Sequence, residues 1–399
     1  MTTFDHELQS RLEDLRTQGL YRELRRVDSA QGPRIQFAGR ELVNFSSNDY
    51  LGLTNHPALK SAALKAVERF GAGAGASRLI CGSLAPFHEL EEILAVFKGT
   101  QAALTFSTGY AAAIGTITAL LGKEDILIVD KLIHACIVDA AKLSGAKLRI
   151  FAHNDLNDLE DKLKWADSIR NAECGTRNTP RTLIVTESIF SMDGDAALLR
   201  EIVALKEKYG AWLMLDEAHA TGLYGPNRRG LAESLGVSDH IEIQMGTLGK
   251  ALGASGGYIC GSRALIDLLV NRARSFIFST APVPAAAAAA TAGIKLVQSA
   301  VGQSLNETLW AHVAAFASPI ANRPSPIPSA IMPIILGDET KAVAIATLLR
   351  EQGFFVPAIR YPTVARGAAR LRVTLTASHS AEEVAQFSHA LTEIVNRKS

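Results

Sequence analysis

The chain has 399 residues, with 41 lysines and arginines against 40 aspartates and glutamates. That length supports a large core and more than one domain, and so even a charge balance excludes the basic footprint that a nucleic-acid backbone requires. No charge-free run approaches the roughly 20 residues of a membrane helix, Met1-Thr-Thr-Phe-Asp-His-Glu7 lacks a signal-peptide core, and four separated cysteines (Cys81, Cys136, Cys174, Cys260) suit inert reduced thiols in a cytoplasm.

In chain order, residues 1–44 read as a charged amphipathic helix, an arm and a small hairpin, Arg34–Val43, turning at Ala38-Gly39. From 45 to 290, short apolar runs alternate with helical patterns. Ala102–Phe106, Ile126–Val129, Leu148–Phe151, Leu183–Thr186, Trp212–Leu215, Ile241–Met245 and Tyr258–Cys260 read as buried strands. Between them His88–Phe97, Leu198–Tyr209 and Leu265–Arg274 carry helical periodicity. This alternation predicts an α/β fold with a mainly parallel seven-stranded sheet covered on both faces. The polar stretch Ala166–Pro180 reads as a surface loop, and Ala285–Ala290 as part of a helix. Residues 291–399 read as a smaller α+β C-terminal domain. Its proline-rich Ser318–Pro328 is expected to be irregular, and is followed by Ile331–Leu336, a helix-like Lys341–Gln352, Leu371–Leu375 and a helix-like Ala381–Arg397.

The chemistry is written at two predicted strand ends. Trp212-Leu-Met-Leu215 runs into Asp216-Glu-Ala-His219, and Ile241–Met245 runs into the glycine-rich Gly246-Thr-Leu-Gly-Lys250. A lysine that can form a Schiff base, near an aspartate able to keep a pyridine nitrogen protonated, is what pyridoxal phosphate asks of a protein. In parallel sheets ligands sit beyond the carboxyl ends of the strands, where both residues fall. His134, after the Ile126–Asp130 strand and turn, offers a ring to stack on such a cofactor. Ser107-Thr-Gly-Tyr110 opens a helix, and free amides at a helix N-terminus form an anion site, so this turn is the expected phosphate cradle. Taken singly, these residues have simpler readings: Lys250 as a solvated loop lysine, Asp216 as a helix cap, His134 and His219 as packed core histidines.

Three competing motifs fail on context. An ATPase needs G-x-x-x-x-G-K-[ST], yet Ile117 and Gln244 stand where the first glycine belongs before Gly122-Lys123 and Gly249-Lys250. Gly253-Ala-Ser-Gly-Gly257 matches G-x-S-x-G, but a nucleophile elbow runs from strand into helix, and a strand is predicted downstream. Gly71-Ala-Gly-Ala-Gly75 follows a helix and lacks the third glycine of a dinucleotide loop.

Nearly the whole chain resembles the α-oxoamine synthase family of fold-type I pyridoxal-phosphate enzymes. The resemblance rests on ordered blocks: Asn44–Leu53, Ser77–Gly82, Phe151-Ala-His-Asn-Asp155, Ser191-Met-Asp-Gly-Asp195, Asp216–His219, Gly246–Lys250, Ala358–Thr363 and Arg370-Leu-Arg-Val-Thr-Leu-Thr376. It implies that Lys250 carries the cofactor and moves the substrate's α-proton, that Asp216 pairs with the ring nitrogen, that His219 and Ser191 lie at the ring hydroxyl, and that His134 stacks on the ring. Gly109, Tyr110 and Thr247 would hold the phosphate, helped by Thr280 from a neighbouring subunit in a homodimer. Asn48, His134, Thr363 and Arg22 match substrate-binding positions, with Arg25 and Arg26 as alternatives to Arg22. Arg370 or Arg372 would hold the amino-acid carboxylate, Arg370 being preferred on position. Ala113 departs from the asparagine that many relatives carry. The family condenses an amino acid with an acyl thioester and loses carbon dioxide. The Phe151–Asp155 block and Ile359-Arg-Tyr-Pro-Thr363 favour L-alanine and a pimeloyl thioester, on coenzyme A or acyl-carrier protein, over glycine and acetyl-coenzyme A, with the family's 5-aminolevulinate and sphingoid-base reactions as further alternatives.

Overall fold

The structure is a computed structural model and describes residues 2–172, 179–316 and 327–398. Seven strands build the central sheet: β1 (Ala102–Phe106), β2 (Ile126–Asp130), β3 (Lys147–Phe151), β4 (Thr182–Glu187), β5 (Trp212–Asp216), β6 (Ile243–Thr247) and β7 (Gly257–Gly261). Their order across the sheet is β1-β7-β6-β5-β4-β2-β3, and β7 alone runs opposite to the other six. The fold is therefore the expected α/β arrangement. Its parallel strands are apolar without alternation because both faces are covered. In β2, Leu127 and Val129 pack with Ala112, Ile117 and Ile137 of two helices on one face. Ile126 and Ile128 point the other way, toward Leu159, Leu163 and Ile202. Ala113 sits fully buried within the first of these layers, so a helix–sheet contact replaces any polar group there.

Two expectations are corrected. The stretch from Ala166 is not loop up to residue 172. Helix Leu156–Ala172 runs through it, because Leu159, Leu163 and Ala166 recur at helical spacing and are buried. Residues 173–178 of that stretch, Cys174 among them, lie outside the described residues. Strand β6 starts at Ile243 rather than Ile241, since a short 3₁₀ turn, Ser238–His240, precedes it. The proline-rich run also falls, except for 327–328, outside the described residues.

The termini meet beside the sheet. Arg34–Phe37 and Arg40–Asn44 form the expected hairpin, and Phe354–Phe355 adds to it in parallel. Ile331–Gly337, Ala369–Thr374 and Ala358–Ile359 form a second antiparallel sheet, with helices Glu339–Glu351 and Ala381–Lys398 in the same region. The chain between them is tied down: Thr374 N–H donates to Phe45 O at 2.8 Å and Ala377 N–H to Tyr50 O at 2.8 Å. These bonds bring Asn48 next to strand Ala369–Thr374. Helix Thr3–Thr17 begins in a capping box between Thr2 and Asp5 and buries none of its side chains in this chain. Among the described residues no helix is long and apolar enough to cross a membrane.

Candidate active site

Strands β2, β4, β5 and β6 end on one rim, and their last residues carry the site. Glu187 and Asp216 are register partners at the ends of β4 and β5. Both are buried, and Ala218 N–H donates to Asp216 Oδ1 at 2.9 Å. Lys250, three residues beyond the end of β6, places Nζ 2.8 Å from His219 Nε2. The expected trio of Lys250, Asp216 and His219 is thus assembled from two loops.

The charges there are unbalanced in an informative way. Burial lowers the Lys250 amine to about 8; Asp216 and Glu187 oppose this and the Arg372 guanidinium adds to it. Burial raises the Asp216 carboxyl, against the pull of Lys250. Burial, together with the Asp216 charge, raises Glu187 to about 8. Glu187 Oε2 accepts from Ser191 N–H at 3.0 Å, while its buried Oε1 has no hydrogen-bond partner. His219 is held neutral, mainly by burial and then by the charges of Lys250 and Arg372. His134 keeps a solvent-exposed edge; partial burial of its ring, against the charge of Asp216 and aided by that of Lys250, lowers it, and its Nδ1 accepts from Cys136 N–H at 3.2 Å to cap helix Ala135–Ser144.

The phosphate cradle is a matter of close backbone approach. Thr108 caps helix Gly109–Leu120 through Ala111 N–H. A Cβ on Gly257 would lie 2.5 Å from Gly109 N and from Thr108 O, so only glycine lets β7 pass there. Gly109 in turn faces Thr247, whose Cβ would be 3.9 Å from a Cβ at that position. Thr247 Oγ1 accepts from Gly249 N–H at 3.2 Å and donates to Gly256 O at 3.0 Å. Free amides at a helix start, beside a hydroxyl, suit a phosphate. With a buried carboxylate that makes no ion pair among the described residues and an amine of lowered basicity, these residues fit pyridoxal phosphate. Tyr110 turns its hydroxyl to Asp139 Oδ2 at 2.5 Å, so its backbone amide is the part left for a phosphate.

The substrate-side residues divide. Arg372 Nη1 donates to Asn48 Oδ1 at 3.1 Å and Arg372 Nε to Ser191 O at 2.5 Å. Arg370 points away: its Nη1 is bonded to Asp193 Oδ1 at 2.5 Å and Met192 O at 3.2 Å. The two arginines stand two positions apart and so share one face of their strand; their partners separate them, since Arg370 is taken up by Asp193 and Met192 while Arg372 reaches Asn48, and the preference for Arg370 passes to Arg372. Among the N-terminal arginines, Arg22 reaches Thr363, Nη2 to Oγ1 at 3.3 Å, whereas Arg26 pairs with Asp28 and Arg25 lines a surface groove with Arg350 and Arg360. Thr280 is not brought to Lys250. It bridges to Ser77 and lines a small crevice with Arg78, Thr105 and Ser107.

Two residues of the rim were missed from sequence. Tyr50 is fully buried with its hydroxyl 2.5 Å from His219 Nδ1. Glu187 ends its strand as Asp216 does, and that shared position was the available signal. A third group supports the rim from below: Lys98 Nζ lies 2.5 Å from Glu217 Oε2 and from Arg229 O, all within the fold, and Glu217 Oε1 accepts from Ala232 N–H at 2.9 Å.

Known proteins are similar to this chain in sequence and fold. Residues 40–391 match the family of class I and II aminotransferases. An 8-amino-7-oxononanoate synthase of Geobacter sulfurreducens is 47% identical over 386 residues, covering 96% of each chain. A serine palmitoyltransferase variant from S. paucimobilis, solved with a pyridoxal-phosphate–myriocin adduct, superposes with a TM-score of 0.89 at 27% identity over 100% of this chain and 99% of its own. The 8-amino-7-oxononanoate synthase of Francisella tularensis gives a TM-score of 0.75 at 27% identity, over 90% of this chain and 98% of its own. With this rim of lysine, aspartate and histidine beside a phosphate cradle, the chain belongs to the class I and II aminotransferase family, in its α-oxoamine synthase branch, and is a pyridoxal-phosphate enzyme.

Proposed function

We propose that the chain condenses L-alanine with a pimeloyl thioester, releasing the thiol and carbon dioxide and yielding 8-amino-7-oxononanoate. The observation that carries this reading is the 47% identity to an 8-amino-7-oxononanoate synthase across 96% of both chains, joined to the assembled Lys250, Asp216 and His219. Bound pyridoxal phosphate supplies an electron sink for the bonds broken at the amino acid's Cα. Lys250 anchors it. With its basicity lowered to about 8, the Lys250 amine is able to take a proton from Cα near neutral pH and to return one later. Asp216 would hold the positive charge of the ring nitrogen, His219 and Ser191 would serve the ring hydroxyl, and His134 would cover the ring. Gly109 and Tyr110 amides and the Thr247 hydroxyl would hold the phosphate. Arg372, already beside Asn48, receives the alanine carboxylate, and Arg22 with Thr363 meets the acyl donor. In the net reaction Cα gives up its proton and bonds to the thioester carbonyl carbon, the thiol departs, the carboxylate leaves as carbon dioxide, and Cα is reprotonated.

The enzyme is proposed to work as a cytoplasmic homodimer. Leu79, Ile80 and Phe278 are 50%, 79% and 70% exposed. All three lie within three residues of the Ser77–Thr280 bridge. A second copy covering that apolar face would carry Thr280 toward its neighbour's phosphate. The decisive experiment offers holoenzyme L-alanine, glycine or L-serine with pimeloyl, acetyl or long-chain thioesters on coenzyme A or carrier protein, and follows thiol release. Turnover highest with L-alanine and a pimeloyl donor is expected; preference for glycine with acetyl-coenzyme A would replace this reading with that of a glycine acetyltransferase.

A further inference from the structure

On the side of His219 away from Lys250 lies a phenol that no step above employs. Tyr50 is 1% exposed, and its hydroxyl oxygen is 2.5 Å from His219 Nδ1. Nε2 of the same ring is 2.8 Å from Lys250 Nζ. Two further polar groups face the hydroxyl: the Arg372 guanidinium, which can only donate to it, and Asn48 Oδ1, 3.4 Å away at the outer limit of a hydrogen bond. That oxygen already accepts from Arg372 Nη1 at 3.1 Å. Buried and near the Arg372 guanidinium, His219 is neutral and has a single ring N–H to place. The short contact draws the hydroxyl proton to Nδ1 rather than to Asn48, which leaves the ring's own proton on Nε2, facing the lysine.

We propose that Tyr50 is a positioning residue: by donating to Nδ1 it fixes the Nε2–H form of His219 and so obliges Lys250 to meet that N–H with its lone pair. Two donors cannot share a contact of this length, so the ammonium form of Lys250 has no acceptor in His219. A ring free to carry its proton on Nδ1 would instead accept from the ammonium and favour it. Of the other groups facing Lys250, Asp216, Glu187 and Cys136 favour the charged amine and Arg372 opposes it; His134 also faces it, and Arg372 touches the tyrosine hydroxyl as well. Tyr50 thus adjusts the group that captures the cofactor through an intermediate ring, without touching the reacting atoms.

This inference rests on Lys250 being the cofactor-bearing amine, but its test needs no substrate. In apo-protein labelled with ¹⁵N in its histidines, the wild-type His219 signal is expected to show protonation at Nε2; protonation at Nδ1 overturns the proposal before any variant is made. In Tyr50→Phe the signal should shift toward the Nδ1–H form. Labelling of the Lys250 amine with an acylating reagent, read by mass spectrometry across pH, should then show a midpoint raised by about half a unit, roughly a threefold loss of free amine near neutrality. A melting curve close to wild type establishes that the variant is folded, and an unmoved midpoint in such a protein overturns the proposal. Because neither readout involves an amino acid or a thioester, both stand whichever substrates the enzyme turns over.

Discussion

Two clusters of buried charge sit on the same rim of the sheet and are poised differently. Around Lys250, two carboxylates and one amine are crowded with few hydrogen bonds, and Lys250 and Glu187 both come to about 8. Around His153, one imidazole lies between two carboxylates, with Nδ1 2.9 Å from Asp130 Oδ1 and Nε2 2.6 Å from Asp195 Oδ2. Burial there works against the charged ring but is outweighed by those two partners, and His153 rises to about 10. Asn154 adds further bonds, from its N–H to Asp130 Oδ2 and from its Nδ2 to Asp195 Oδ2, each 3.1 Å. The difference lies in pairing: a paired cation keeps its proton at every physiological pH, while an underpaired set leaves protons within reach of chemistry. The first cluster is built to react, and the second joins the ends of β2 and the Ser191–Ala197 turn so that His134 and Ser191 stay in place.

The comparison is broken most directly at Lys250. Lys250→Ala should lower turnover by at least about 10²–10⁴-fold and abolish borohydride-reducible attachment of the cofactor. Retention of both would move the reactive amine elsewhere. Asp216→Asn keeps the shape but not the charge, and should cost on the order of 10²–10³-fold in kcat while the cofactor still binds; its visible spectrum and steady-state rates test this.

A more discriminating pair separates the two arginines. Arg372→Ala should raise the KM for the amino acid on the order of 10–10³-fold, as expected when a buried charged contact is truncated. Arg370→Ala should leave that KM within a few fold and instead lower the melting temperature, because Asp193 loses its partner. The reverse pattern would return the carboxylate site to Arg370. The smallest effect belongs to the paired cluster. Since folding raises His153 above its unfolded value near 6.5, its contribution to stability is complete below that pH and fades as pH rises toward about 10. Denaturation of His153→Gln and wild type over that range should therefore show a gap that is widest in mild acid and narrows in alkali; a constant gap would mean the ring acts through packing alone.

Much of the fold was legible because its signals are local. Unbroken apolar runs such as Ile126–Val129 and Leu183–Thr186 mark strands buried on two faces, and the alternation of strand and helix fixes a parallel sheet. The Ala166–Ala172 helix end was hidden because a polar surface helix and a polar loop share a composition, and only the burial of Leu159, Leu163 and Ala166 separates them. In the site, Asp216, His219 and Lys250 were readable because each follows a predicted strand end, where a parallel sheet collects its ligands.

The sequence by itself determined the sheet, the rim on which chemistry occurs and the three residues that define it. Tertiary structure alone decided which arginine faces the lysine, which N-terminal arginine reaches Thr363, and that Tyr50 and Glu187 belong to the rim at all. The physical reason is distance along the chain: Arg372 meets Asn48 across 324 positions and Tyr50 meets His219 across 169. Periodicity carries information over a few residues, whereas contacts of that span exist only once packing has brought the N-terminal segment against the strand that bears Arg372.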